Sequence, residues 1–203
     1  MIIERIASGI FGSNCYMVAD KGECAIIDAG VGAEKITSFA KEKGFRIKCL
    51  ILTHAHIDHV FYAAELKNIE DIDVMIHEDD AEELLNPDME FYGLPTGDDL
   101  EHVDRMLKDG DKVKIGETEL HIIHTPGHTP GCMCIKAGDN ILTGDTLFRV
   151  HIGRTDLKGG DTAAILSSIK NKLFTLESST KVYPGHGEMT TIGFERENNP
   201  YVK

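Results

Sequence analysis

Residues 53–59, Thr-His-Ala-His-Ile-Asp-His, bring His54, His56, Asp58 and His59 into one short run. Neutral imidazole and carboxylate are ligands for zinc, and also for iron or manganese. A lone histidine at a strand end is usually solvated or satisfied by the core. Three of them with an aspartate beside a buried strand would be costly clutter without a partner, so a metal site is the expected use.

Three further stretches offer the same chemistry. In His124-Thr125-Pro126-Gly127-His128-Thr129-Pro130-Gly131, two Pro-Gly pairs fix a rigid loop with His128 at its apex. His121 and His124 read as solvent-facing or supporting residues. Asp145 follows Thr143-Gly144 just past an apolar strand, and His186 sits in Pro184-Gly185-His186-Gly187 after another. Seven candidate ligands, His54, His56, Asp58, His59, His128, Asp145 and His186, exceed one tetrahedral ion but suit two neighbouring ones. The natural division gives His54, His56 and His128 to one metal and Asp58, His59 and His186 to the other, with Asp145 bridging. Zinc is the expected metal, with iron or manganese as alternatives. A bridging hydroxide, oriented by Asp58 as catalytic residue, would attack a carbonyl or phosphoryl centre. Hydrolysis is the expected reaction.

The elements that must position these side chains follow from periodicity. Strands are expected at 2–7, 15–19, 23–28, 47–52, 74–77, 112–115, 118–124, 132–136, 141–143 and 181–183. Asp20-Lys21-Gly22 and Gly138-Asp139-Asn140 supply hairpin turns. Helices are expected at 33–43, 60–67, 79–85 and 162–174, the last capped by Asp161. In an extended tip, side chains at 54, 56 and 58 point to one side; His59 turns away as the helix starts, and Asp58 suits its N-cap. Residues 88–98 carry Phe91, Tyr92, Gly93 and Pro95 without periodicity and are expected to form a lid. The tail from Glu188 is expected to wrap the surface. Two facing sheets with helices outside would bring the ligand-bearing loops to one edge.

Composition bounds the partners. The 203 residues fit one domain. A net charge of -13, from 21 basic and 34 acidic residues, argues against nucleic acid or an anionic membrane as partner and leaves a small-molecule substrate. Apolar runs are too short to span a bilayer, and Met1-Ile2-Ile3-Glu4-Arg5 has no signal-type core. Five cysteines are an odd number, with no complete disulfide framework, so a cytoplasmic location is expected.

Taken together, His54-Ala-His56-Ile-Asp58-His59, the His128 loop, Thr143-Gly144-Asp145 and Pro184-Gly185-His186-Gly187 resemble the successive motifs of the metallo-β-lactamase superfamily. The resemblance covers nearly the whole chain and implies an α/β protein, a four-layer αββα sandwich with the dinuclear site at one sheet edge. Gly144-Asp145-Thr146-Leu147-Phe148, Gly153-Arg154-Thr155-Asp156 and Thr190-Thr191-Ile192-Gly193-Phe194-Glu195 with Asn199-Pro200 resemble the glyoxalase II-like hydrolases. That implies a thioester such as S-lactoylglutathione. A thiolate leaves without prior protonation, its conjugate acid having a pKa of about 8.5. Full-length glyoxalase II carries a helical glutathione-binding domain, whereas this sequence runs 17 residues past His186, like single-domain relatives. Val60-Phe61-Tyr62 and Val150-His151 stand where the family has small residues. Arg154 is a candidate for a substrate carboxylate, against a salt bridge to Asp156, and His151 is a candidate pocket residue. The rival readings are a mononuclear iron persulfide dioxygenase on His54, His128 and Asp145, a phosphodiesterase or lactonase on the dinuclear site, and a metal-binding protein without catalysis.

Overall fold

A computed structural model describes residues 1–86 and 100–203. The chain runs β1 (Ile2–Ser8), β2 (Asn14–Asp20), β3 (Glu23–Ile27), α1 (Ala33–Glu42), β4 (Arg46–Ile51), α2 (Ile57–Val60), α3 (Ala63–Glu70), β5 (Asp73–His77) and α4 (Ala81–Leu85). It continues with β6 (Arg105–Leu107), β7 (Lys112–Ile115), β8 (Thr118–His124), β9 (Met133–Ala137), β10 (Asn140–Gly144), β11 (Leu147–Phe148), β12 (His151–Ile152), α5 (Thr162–Ser168), β13 (Lys181–Pro184), β14 (Thr190–Thr191) and α6 (Ile192–Asn198).

Six strands form one sheet in the order β1 to β6, and six form a second in the order β14-β13-β10-β9-β8-β7. Strand alternation builds the layers. On β2, Tyr16 and Val18 face the second sheet while Cys15, Met17 and Ala19 face the helices. On β9, Met133 and Ile135 face inward and Cys134 outward. The core between the sheets therefore takes Val18, Ile27, Ile51, Leu120, Ile122, Ile135 and Leu142, each nearly inaccessible to solvent. At about 1.5–3 kcal/mol per fully buried large aliphatic side chain, this face-to-face contact is a principal source of stability. Outside the first sheet, α1, α3 and α4 pack through Ile36, Ala63, Leu66 and Leu84; outside the second, α5 and the last helix pack through Ile165, Ile169 and Ile192. The result is the expected αββα sandwich.

Orientation matters more than content here. Strands β3, β4 and β5 are parallel, as are β10 and β13, while β8 and β10 both run antiparallel to β9. The C-terminal ends of β3, β4, β8, β10 and β13 thus reach one rim. There the Met133 amide donates to the Thr53 carbonyl at 3.0 Å, tying the sheets together.

Several expectations need correction. The helix expected at 60–67 is two pieces, because Tyr62 leaves helical geometry and its amide donates to Ala29 O. The tip is not extended through residue 58: α2 starts at Ile57 with His56 at its N-cap, so Asp58 lies in the first turn rather than capping it. The helix expected at 162–174 turns π-helical over Ile169–Leu173. The tail forms β14 and α6, with Ile192 and Glu195 fully buried. Strand β6 and the β11–β12 hairpin are not marked by periodicity, being three and two residues long. The lid expected at 88–98 lies outside the described residues. Among the described residues, no helix is long and apolar enough to cross a membrane.

Candidate metal centre

The loop after β4 is held by two buried carboxylates. Asp28, at the end of β3, accepts the Thr53 amide at 2.7 Å and the Thr53 hydroxyl at 2.9 Å. Asp80 accepts the Ala55 amide at 3.0 Å, the Thr129 hydroxyl at 2.7 Å and the Gly131 amide at 2.6 Å. Catching the amides at 53 and 55 fixes the backbone on both sides of His54, and Asp80 joins that loop to the His128 loop. This rigidity is what a ligand set needs.

All seven expected residues converge. His54, His56 and His128 form one group and Asp58, His59 and His186 another, each offering ligand atoms within 4.8 Å of one another; a third grouping joins His54, His59 and Asp145. His56 Nδ1 lies 2.7 Å from His128 Nε2, and His186 Nε2 lies 3.1 Å from Asp58 Oδ2 and 3.2 Å from His59 Nε2. Asp145 sits between the groups, with Oδ2 3.5 Å from both His128 Nε2 and His186 Nε2. The backbone of Gly185 comes so near that a Cβ there would meet Asp145 Oδ1 at 2.2 Å. Only glycine fits.

The outward ring nitrogens are held as a metal site requires. His59 Nδ1 is 2.7 Å from Asp28 Oδ2, His54 Nδ1 is 3.0 Å from the Thr53 hydroxyl, and His128 Nδ1 is 2.7 Å from the Arg154 carbonyl. Such partners select the tautomer whose other nitrogen points inward with a free lone pair. Inside, His54 Nε2 is buried with no hydrogen-bond partner, and Asp145 Oδ1 makes no aligned one. Each unmatched buried group costs about 1–3 kcal/mol, a cost that coordination of a cation removes.

Electrostatics agree. Burial drives His54 well below the usual imidazole range, and burial with His128 alongside takes His56 down to about 4, so both keep a lone pair at neutral pH. Burial also works against the charged form of His59, but Asp145 and Asp28 outweigh it and hold the ring well above its ordinary value. Asp145 is pulled down to about 2: burial opposes its charge, and His59 overcomes that. Positive charge is wanted among these carboxylates.

The profile of the metallo-beta-lactamase superfamily matches residues 8–186. The chain belongs to that superfamily. It is 35% identical to "Hydroxyacylglutathione hydrolase GloC" of Haemophilus influenzae, over 100% of this chain and 98% of that one. Among solved structures it is similar to BLEG-1 B3 metallo-β-lactamase, with a TM-score of 0.92, 32% identity and full coverage of both chains. It is also similar to TTHA1623 in a di-iron-bound form, with a TM-score of 0.89, 33% identity and coverage of 98% and 99%. Divalent metals at a dinuclear site are a property of the superfamily, and the His/Asp groups here suit one.

Arg154 holds Asp156 in a bidentate pair at 2.7 and 2.8 Å, the reading weighed against substrate contact, while its carbonyl orients His128. His151 is exposed and packs on the Tyr201 ring at 4.4 Å between centroids. Reading the sequence missed Asp28 and Asp80. Asp28 had a signal, a carboxylate at the end of the apolar run Cys24–Ile27; Asp80, within Glu78-Asp79-Asp80, had none.

Proposed function

We propose that this protein is a metal-dependent hydrolase of acyl thioesters of the hydroxyacylglutathione kind. The observation that carries the reading is the pair of adjoining ligand groups sharing Asp145, in a chain with a full-length relative named for that activity. His54, His56 and His128 would hold one ion and Asp58, His59 and His186 the other, with Asp145 reaching both. Divalent ions there, zinc first and iron or manganese next, supply Lewis acidity toward an acyl oxygen and lower the pKa of water from about 15.7 toward about 7.

The protein's own groups do the rest. Asp58 Oδ2 faces the interior of the centre; burial opposes its charge, but the hydrogen bond with His186 prevails and holds it below the ordinary carboxylate range. It is therefore an acceptor at neutral pH, able to orient an attacking water through that oxygen. A thiolate departs unaided, so a site whose contacts are imidazoles and carboxylates suits a thioester better than an amide. Beside His56 opens a cavity of about 760 Å³ lined in part by Asp79, Asn86, Thr129 and Lys158, roomy enough for a peptide-like thiol. A small-molecule substrate and a cytoplasmic setting accompany this reading.

The mononuclear dioxygenase reading would leave Asp58, His59 and His186 assembled without use, which is why it ranks second. Metal quantification on the purified protein, paired with S-lactoylglutathione hydrolysis, tests the proposal. Two equivalents with turnover are expected. One iron, with oxygen consumed on glutathione persulfide, would replace it, and turnover confined to lactones, β-lactams or phosphodiesters would discard the thioester.

A further inference from the structure

The terminal segment does something the metal centre does not explain. Glu195 is a fully buried carboxyl group. Its Oε2 accepts the Val150 amide at 2.9 Å and the Asn199 side-chain amide at 2.9 Å; its Oε1 accepts the Thr190 hydroxyl at 2.6 Å. Asn199, also buried, donates to the His151 carbonyl at 3.0 Å. Arg149 lies over the Phe194 ring, 5.5 Å from its centroid, and His151 lies against Tyr201. Each residue of the turn 149–151 is therefore held by its own partner on α6 or just beyond.

What is held is strained. Val150 has φ +52°, a left-handed conformation that a β-branched residue rarely adopts, and the residue is 43% exposed. Strain of this kind persists only where surrounding structure over-determines it, and it clusters at working surfaces. The hairpin also borders the metal centre. The Phe148 ring stands edge-on to His186 at 5.9 Å, and a Cβ on Gly153, where the hairpin returns, would meet the Asp145 carbonyl oxygen at 1.8 Å. A buried carboxyl group has thus been spent on fixing a wall beside two candidate ligands. That wall carries the Phe148 ring, whereas the cavity on the His56 side is lined by charged residues such as Asp79, Glu83 and Lys158.

We propose that the β11–β12 hairpin is the acyl-side wall of the site, that Phe148 on it selects thioesters with apolar acyl groups, and that Glu195 and Asn199 are the positioning residues that hold it. The proposal rests on the thioester-hydrolase reading. The cavity beside His56 then takes the thiol portion, and the acyl chain lies along Phe148.

The test is kcat/KM of the metal-loaded enzyme on acetyl-, butyryl- and hexanoyl-glutathione, with exchange of the Val150 amide followed by NMR. Full burial of a methylene corresponds to about fourfold, so the wild type is expected to gain about two- to fourfold per added methylene. Phe148→Ala flattens that gain. Glu195→Met fills the space but accepts no hydrogen bond, so it flattens the gain and exposes the Val150 amide to fast exchange. Glu195→Gln restores both, because its amide oxygen can accept from Val150 and Asn199 while its amide N–H donates to the Thr190 hydroxyl oxygen. Should Glu195→Met fail to fold, Asn199→Ser, which releases the His151 carbonyl but leaves Glu195 on the Val150 amide, is expected to flatten the gain without speeding that amide's exchange. Thioesters hydrolysed with no dependence on chain length would overturn the wall. A steep dependence surviving in Glu195→Met despite fast amide exchange would overturn the positioning role. Failure to hydrolyse any thioester would instead remove the reading beneath it.

Discussion

Among the described residues, two clusters have metal-ligand composition, and only one is built as a metal site. His77, Asp79 and His124 also bring ligand atoms within 4.8 Å, with His77 Nδ1 and His124 Nε2 at 3.6 and 3.8 Å from Asp79 Oδ2. By residue type and distance this group rivals His54, His56 and His128. Ring orientation separates them. The lone pair of an imidazole lies in the ring plane, so two rings can share an ion only where their planes intersect near it. His54, His56 and His128 cross at 71–87°. The rings of His77 and His124 are stacked, 3.9 Å apart at 15°, and an ion in one plane would lie over the face of the other. Their nitrogens are engaged elsewhere as well: His124 Nε2 is 2.8 Å from the Pro130 carbonyl, and His77 Nδ1 accepts the Asp79 amide at 3.3 Å. One cluster is arranged as an ion site would be; the other holds the His128 loop against β5.

The largest effect that could break this contrast is loss of a ligand. His56→Ala should reduce metal affinity by more than about a hundredfold, beyond the 10–100-fold typical of lost supporting partners, and abolish hydrolysis. His124→Ala should leave bound metal per chain unchanged. Elemental analysis after gel filtration reads both, and equal losses in the two variants would erase the distinction drawn from ring planes.

Next comes Asp28→Asn. The amide can still accept from Thr53, but it no longer gives His59 Nδ1 a carboxylate at 2.7 Å. Metal affinity should fall about 10–100-fold with the fold retained. Competition with a chromogenic chelator measures it, and unchanged affinity would mean that the His59 orientation is fixed by packing alone.

Which of these features could be read beforehand follows from what a linear pattern carries. The strands lining the sandwich announced themselves because both faces are apolar, as in Met17-Val18-Ala19, and the seven candidate ligands because His and Asp cluster at the ends of such runs. The supporting residues did not. Asp28 and Asp80 look like any turn aspartate until the distant loops they hold are folded against them, and Glu195 looks like one more acid in Phe194-Glu195-Arg196-Glu197. Ring orientation is more remote still. Whether His77 and His124 stack or cross is decided by β5 meeting the loop beyond β8, contacts 47 residues apart in the chain.

A smaller effect is expected at Arg154. Its guanidinium is exposed and paired with Asp156, a solvent-screened contact of little energetic weight, while the part that orients His128 is its carbonyl. Arg154→Ala should therefore keep full metal content and chiefly raise KM a few-fold. Metal loss in this variant would mean that the side chain, not the backbone, sets the His128 geometry.

The subtlest test bears on the stacked pair. Burial, with His124 alongside, holds His77 below the ordinary imidazole pKa, against the opposing pull of Asp79, Asp80 and Glu78. The unfolded chain therefore binds a proton here at a higher pH than the folded one. By linkage, the contribution of neutral His77 is fully present above the unfolded value of about 6.5 and is lost as pH falls through the depressed folded value. In His124→Ala the stacked partner is gone, so charging of His77 meets less resistance. The difference in Tm between wild type and this variant, which cancels the shared titration of the metal centre, should shrink from pH 7.5 to pH 5. A difference that is flat across that range would show that the two rings do not feel each other's charge, and stacking would then be a matter of shape alone.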